Sequence, residues 1–134
     1  MATTNATITI NSSDLTGDAL AFSTTTTLYK AEQTVGLENT SGIGRTTYAA
    51  AGQTTLFADA DYTAADGSNA HKVYIANKAT DATHSVKITV ESVDLGKLYA
   101  GDWMFFPWDG LDGTDIKVTT SHTNMVVEHM IISE

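Results

Sequence analysis

The chain has 134 residues, with 16 acidic and 7 basic side chains and a formal net charge of −9. This length fits one domain, so we expect residues 1–134 to form a single one. Hydrophobic residues make up 42% and charged residues 17%, a balance typical of folded chains. The lack of cysteine excludes disulfides, cysteine zinc sites and thiol nucleophiles. Because Arg45 is the only arginine, we expect no nucleic-acid partner.

Strand patterns dominate the chain, which contains 23 threonines and one proline. The clearest alternation of apolar and polar residues spans 84–91. Similar patterns include Val73 with Ile75 and Ile116 with Val118. Weaker strands are predicted at 28–31, 46–50, 56–58 and 95–99. With Gly/Asp turns between them, these segments predict an all-β, antiparallel β-sandwich of jelly-roll type with about eight to ten short strands.

The N-terminal residues 1–12 carry no charged side chain, and Ala6, Ile8 and Ile10 alternate with polar residues. This pattern predicts either an edge strand of the sandwich or an arm that adds a strand to a neighbouring protein. The sequence has neither a basic, apolar leader nor an apolar run of membrane-spanning length. We therefore expect neither a signal peptide nor a membrane partner.

Two segments, 103–108 and 125–132, are apolar at both odd and even positions. A strand of this kind is covered on both faces or presents one face to another subunit. We therefore expect a closed homo-oligomer. The candidate contact residues are Ala6, Ile8, Ile10, Trp103, Phe105, Phe106, Trp108, Met125 and Met130.

The sequence motifs that would indicate metal binding or catalysis are weak. Asp109, Asp112 and Asp115 are a possible Ca²⁺ loop, but their spacing is not that of an EF-hand, and a pair of Asp-Gly turns is the preferred interpretation. The four histidines are scattered singly, and the sequence contains no nucleophile elbow, phosphate loop or dinucleotide fingerprint. We expect no enzyme activity, no cofactor and no metal.

The order of strands and turns resembles that of small virion proteins of tailed bacteriophages, especially cyanophage-like ones. The similarity covers about residues 28–134 and lies in these segments: 72–77 (KVYIAN), 86–90 (VKITV), 95–108 (LGKLYAGDWMFFPW), 42–45, 115–118 and 126–128. It implies a decoration, or cement, protein that binds the phage major capsid protein on the outside of the head as a homotrimer. It also implies synthesis in the host cytoplasm and residence in the virion. The same candidate contact residues would then serve the capsid or the subunit contact.

Two other functions stay open. Trp103 or Trp108 could form a stacking platform for sugars, with the Asp109–Asp115 loop holding Ca²⁺, in a carbohydrate-binding or structural module of a tail fibre or baseplate. We prefer core and subunit interface for the aromatic residues. A jelly-roll enzyme would need a metal cluster gathered from distant positions, which the spacing does not reveal.

Overall fold

The structure is a computed structural model, and it describes residues 3–15, 17, 19–62 and 69–134. The chain divides into two compact units, Met1–Glu38 and Asn39–Glu134. No helix in the described part of the chain is long and apolar enough to cross a membrane.

The first unit is built on an antiparallel hairpin of β1 (Asn5–Ser12) and β2 (Leu20–Thr27). Eight successive residue pairs join the two strands without a register shift, from Asn5 with Thr27 to Ser12 with Leu20. The predicted strand at 28–31 is wrong, because the structure has only an isolated bridge there, between Tyr29 and Gly36. The threonine run at the end of β2 is a strand that the sequence pattern does not predict.

The second unit contains two antiparallel sheets. One has four strands in the order β5-β10-β7-β8, and the other has the order β3-β11-β6-β9, with β4 also paired to β11. The strands are β3 Asn39–Thr40, β4 Gly44–Tyr48, β5 Gly52–Phe57, β6 His71–Asn77, β7 Val86–Val90, β8 Val93–Leu98, β9 Trp103–Trp108, β10 Ile116–Thr120 and β11 Met125–Ser133. A single 3-10 turn, Asp59–Asp61, follows β5.

The core lies between these two sheets. Alternate residues of each strand point inward, as the period of two in the sequence requires. The four-stranded sheet contributes the fully buried Val86, Ile88, Ile116 and Val118. The facing sheet contributes a second set, of which the fully buried members are Val73, Ile75, Met125, Val127 and Ile131.

The predicted all-β, antiparallel β-sandwich is confirmed. The described residues form eleven strands, slightly more than the predicted eight to ten, and one of them is the two-residue β3. The clearest predicted strand, 84–91, is observed as β7 (Val86–Val90). The jelly-roll connectivity stays a prediction.

Candidate functional site

The most unusual surface of the second unit is the side of the five-stranded sheet that faces away from the core. We call it the outer face. The ladder register assigns these residues to it: Arg45 and Thr47 of β4, Lys72, Tyr74 and Ala76 of β6, Trp103, Phe105 and Pro107 of β9, and Val126, Glu128, Met130 and Ile132 of β11. Eight of these twelve side chains are apolar or aromatic, whereas a sheet face turned to water is ordinarily polar.

The outer face explains why segments 103–108 and 125–132 are apolar at both parities. In β9, Met104, Phe106 and Trp108 point to the core, so Trp103 and Phe105 must point the other way. In β11, Met125, Val127 and Ile131 are buried in the core. Both strands therefore have one apolar side for the core and a second one for the outer face.

Phe105, Tyr74 and Met130 form one row across three neighbouring strands, because Tyr74 is the register partner of both other residues. Directly opposed side chains of antiparallel strands lie close enough to pack. This row places two aromatic side chains and one thioether side chain together at the middle of the outer face.

Trp103 lies beside this row, two residues before Phe105 on β9, which is an edge strand of the described sheet. Its side chain is 53% exposed, and its ring lies 6.4 Å from that of Tyr74 at an interplanar angle of 42°. The turn before it is fixed by Gly101, which has a φ of +84°. Asp102 closes the turn through hydrogen bonds with the backbone of Tyr99, each of 2.9 Å.

A polar network interrupts the apolar surface. The Arg45 Nε donates to Oε2 of Glu128 at 2.8 Å, and the Tyr74 hydroxyl donates to Oε1 at 3.0 Å. These two hydrogen bonds hold the pKa of Glu128 below its usual range. The pKa of Tyr74 is raised, mainly by burial and also by the carboxylate that it contacts.

Lys72 lies further along the outer face, where its Nζ donates to the carbonyl oxygen of Ala70 at 2.6 Å. Partial burial lowers its pKa, and the nearby Glu134 opposes this effect. Arg45 and Lys72 are thus cations on the outer face, where Glu128 pairs with Arg45 and Glu134 lies near Lys72. These charges approximately balance one another, whereas the whole chain carries −9.

The structure separates the predicted contact residues into three places. Trp103, Phe105 and Met130 lie on the outer face. Ala6, Ile8 and Ile10 lie in the N-terminal hairpin. Trp108 and Met125 are corrections: they are 5% and 2% exposed, so neither presents its side chain to a partner. Phe106 is partly buried against the core and points away from the outer face. In a run that is apolar at every position, the sequence does not indicate which parity faces inward.

The side chain of Trp108 makes its contacts inside the protein, so Trp108 does not form the sugar-stacking platform considered above. Its indole N–H donates to the carbonyl oxygen of Thr114 at 2.9 Å, and its ring packs edge-on against Tyr62. An open groove of about 420 Å³ runs beside it, lined in part by Leu95, Phe106 and Pro107. Of the two tryptophans, only Trp103 has a ring available for stacking.

Two of the three aspartates of the weak Ca²⁺ candidate accept backbone hydrogen bonds within the protein. Asp109 accepts a hydrogen bond from the backbone of Leu111 at 3.2 Å, and Asp115 accepts one from the backbone of Asp59 at 3.0 Å. In the described ranges, no group of three or more histidine or acidic side chains is arranged to hold a metal ion. The observed geometry is that of turns between β9 and β10.

Two histidines that the sequence left single are in fact paired. His84 precedes β7 and His122 follows β10, and the ladder between these strands, continued by two residues, sets them opposite each other. Their rings stack at 4.1 Å with an interplanar angle of 18°. Ser121 Oγ lies 2.8 Å from Nδ1 of His122. This pair can be identified only from the register of β7 with β10, which the sequence does not specify directly.

The outer face is therefore a mainly apolar and aromatic, half-buried surface that surrounds one charged network. Tyr, Trp, Phe, Met and Arg are the residues enriched where proteins bind one another. Such a surface is suited to contact with a complementary protein. Comparison of the chain with protein-family models, with curated proteins and with solved structures finds no significant match.

Proposed function

We propose that the protein is a virion structural protein of a tailed bacteriophage, a decoration protein that binds the outer surface of the head and stabilises it. Its partner is the major capsid protein, and its working form is a homotrimer, a number that rests on the family resemblance alone. The outer face is the contact surface. The observation that carries the proposal is the apolar and aromatic composition of that face.

Apolar side chains on the outer face cost free energy when they stay in contact with water. Fully burying an exposed Phe, Met or Ile side chain contributes about 1.5–3 kcal/mol, and the half-buried Phe105, Met130 and Ile132 can gain part of this. In the second unit, the core already occupies the inward side of β6, β9 and β11. The apolar residues on the other side therefore add nothing to the sandwich core, and they become useful when a partner covers them.

Binding of this kind stabilises a shell by mass action. A ligand that binds only the assembled, expanded shell lowers the free energy of that state by RT ln(1 + [L]/Kd). A stable protein–protein contact buries roughly 1,000 Å² of surface or more. The outer face spans four strands and is therefore a broad surface for such a contact. Neither a catalytic group nor a cofactor is needed for this function.

Charge supports the choice of the outer face over other surfaces. A protein of net charge −9 is repelled by an acidic partner at most of its surface. On the outer face, Arg45 and Lys72 are balanced by Glu128 and by the nearby Glu134. The outer face is thus better suited than the rest of the chain to approach a neutral or acidic protein shell.

Co-sedimentation with phage heads purified without the protein tests the proposal. We expect Trp103→Asp to weaken binding at least about tenfold, because it places a carboxylate in an apolar contact. The matched control is Val93→Asp, which changes a residue of similar exposure, 59% against 53%, on the edge strand of the other sheet. Equal binding by both variants, or no binding by the unmodified protein, would overturn the proposal.

The second candidate is a carbohydrate-binding or structural module of a tail fibre or baseplate. The exposed ring of Trp103 beside Tyr74 favours it, since flat aromatic rings stack on sugar faces. Titration calorimetry against bacterial surface glycans distinguishes it from the first. Heat that disappears in Trp103→Ala supports the module, whereas head binding without any glycan heat supports decoration.

A further inference from the structure

The two stacked histidines lie at one end of the core of the second unit. The buried residues of β7 and β10, such as Val86 and Val118, occupy even positions of the chain. His84 and His122 are also even positions, so the continued ladder directs both rings to the core side of the sheet. His84 and the core residue Met125 line one cavity of about 260 Å³. The stack therefore covers this end of the core.

Hydrogen bonds beside the stack join the two segments that carry the rings. These segments are the connection 78–85, between β6 and β7, and the turn 121–124, between β10 and β11. The Ser121 amide donates to the carbonyl oxygen of Ser85 at 3.0 Å, and the Ser85 amide donates to Oγ of Ser121 at 2.9 Å. A change in the stack is therefore reported by two neighbouring backbone amides.

Two charged side chains, of opposite sign, border the histidine pair. Asp81 Oδ2 lies 3.9 Å from Nε2 of His84, and the carboxylate interacts electrostatically with both rings. Lys78 lines the same cavity as Asp81 and His84. The carboxylate favours a proton on the pair, whereas the ammonium group opposes it.

Other charged and titratable groups of the packed strands do not add charge beside the rings. In the described part of the four-stranded sheet, the lysines of β7, β8 and β10 belong to the face that points away from the core: Lys87, Lys97 and Lys117. In the facing sheet, Glu128 belongs to the outer face. Tyr48, the register partner of Met125, stays neutral because burial raises its pKa. Asp81 is thus the carboxylate that serves the pair.

The first proton on the pair is accommodated better than the second. Imidazole side chains become charged near pH 6.5. Asp81 offsets one such charge, but a second one is placed on a ring whose centre is 4.1 Å from the first. Even in water, repulsion at this separation weakens the binding of the second proton about fivefold. Sites coupled in this way take up protons in two steps that belong to the pair.

We propose that the His84–His122 stack is a pH-sensitive contact, which closes this end of the core above about pH 7 and opens when both rings are charged below about pH 6. Opening separates the turn 121–124 from the connection 78–85. It also gives water access to Met125, which is 2% exposed while the stack is closed. This device is independent of the proposed function, because it lies at the end of the core and not on the outer face.

Amide hydrogen exchange of the full chain, followed by NMR, tests the inference. Protection of the Ser121 amide is measured relative to amides in the middle of β7 and β10, after correction for the intrinsic pH dependence of exchange. Between about pH 8 and 5 it should fall about fourfold, close to the limit that the repulsion sets. His122→Phe keeps a flat ring against His84 without its charge, so it should abolish the fall. His84→Phe, the reciprocal variant, should do the same.

The matched control is His129→Gln, which removes a histidine that is not part of the stack and should keep the fall at Ser121. The imidazole proton signals provide a second readout. They should show a two-step titration of the pair in the unmodified protein and a one-step titration of His84 in His122→Phe. Full protection of Ser121 down to about pH 5 in the unmodified protein, or a fall that survives in both phenylalanine variants, would overturn the proposal.

Discussion

Arg45 and Glu128 are direct cross-strand partners in β4 and β11, and the Arg45 Nε donates to the Glu128 carboxylate at 2.8 Å. Tyr74 donates to the second oxygen of the same carboxylate. The pair therefore fixes the orientation of an aromatic ring at the middle of the outer face. The Arg45–Glu128 pair therefore affects both the stability of the five-stranded sheet and the shape of the outer face.

The first prediction concerns the stability of the protein at acidic pH. The pKa of Glu128 is lowered in the folded protein, so its contribution to stability is present above the unfolded value of about 4.3 and is lost as pH falls through the folded value. Glu128→Gln should flatten the pH dependence of the melting temperature below pH 5. The control is Glu91→Gln, at an exposed position, which should leave the dependence as it is. The same slope in Glu128→Gln as in the unmodified protein would contradict the assignment.

The second prediction concerns His129, whose ring packs edge-on against Phe57 at 5.7 Å. Burial lowers its pKa, and its Nδ1 has no hydrogen-bond partner in the described structure. The unfolded chain takes up the proton first, near pH 6.5, so stability should fall as pH drops below that value until the folded pKa is reached.

His129→Gln removes this titration and should flatten the melting temperature between about pH 7 and 5. Thr46→Val removes the partner of the His129 Nε2, which lies 2.9 Å from Thr46 Oγ1. It should lower stability at every pH while leaving the slope in place. A slope that survives in His129→Gln would assign the effect to another group.

The third prediction is a packing test beside the same ring. A Cβ at Gly44 would lie 3.0 Å from Cε1 of His129. Gly44→Ala should therefore destabilise the protein by about 1 kcal/mol, since overfilling a packed site forces its neighbours to move. In a His129→Ala background the cost should disappear, which a double-mutant cycle by urea unfolding measures. An equal cost in both backgrounds would show that the ring is not the cause.

The fourth prediction concerns Asn77, a fully buried polar residue at the end of β6. Its Nδ2 donates to the carbonyl oxygens of His84 and Leu98 at 3.1 and 3.0 Å, and its Oδ1 accepts from the backbone of Ala79 at 3.0 Å. Asn77→Ala leaves one buried and two partly buried backbone groups without these partners, so we expect a loss of about 3 kcal/mol in urea unfolding. A loss below about 1 kcal/mol would mean that water replaces the side chain.

The sequence predicts the sandwich well because alternation directly reports which strands have one buried face. Residues 84–91 and the pair Ile116 and Val118 are examples, observed as β7 and β10. Alternation fails where both parities are apolar. It does not tell Trp103, on the outer face, from Trp108, in the core, because that choice depends on the register with β6.

Contacts made across strands are the other part that the sequence does not yield. The Arg45–Glu128 pair and the His84–His122 stack join residues far apart in the chain. The threonine run in β2 has no apolar alternation of its own, and it becomes a strand by pairing with β1. Tertiary pairing overrides the local pattern at each of these places.

The position of the protein on a virion is the most direct test of the proposal that it decorates the phage head. An electron cryo-microscopy reconstruction of phage particles that contain the protein should have its density on the outside of the head, with Trp103, Phe105 and Met130 against the capsid subunits. Density confined to the tail, or on the head with these three side chains facing solvent, would contradict the account.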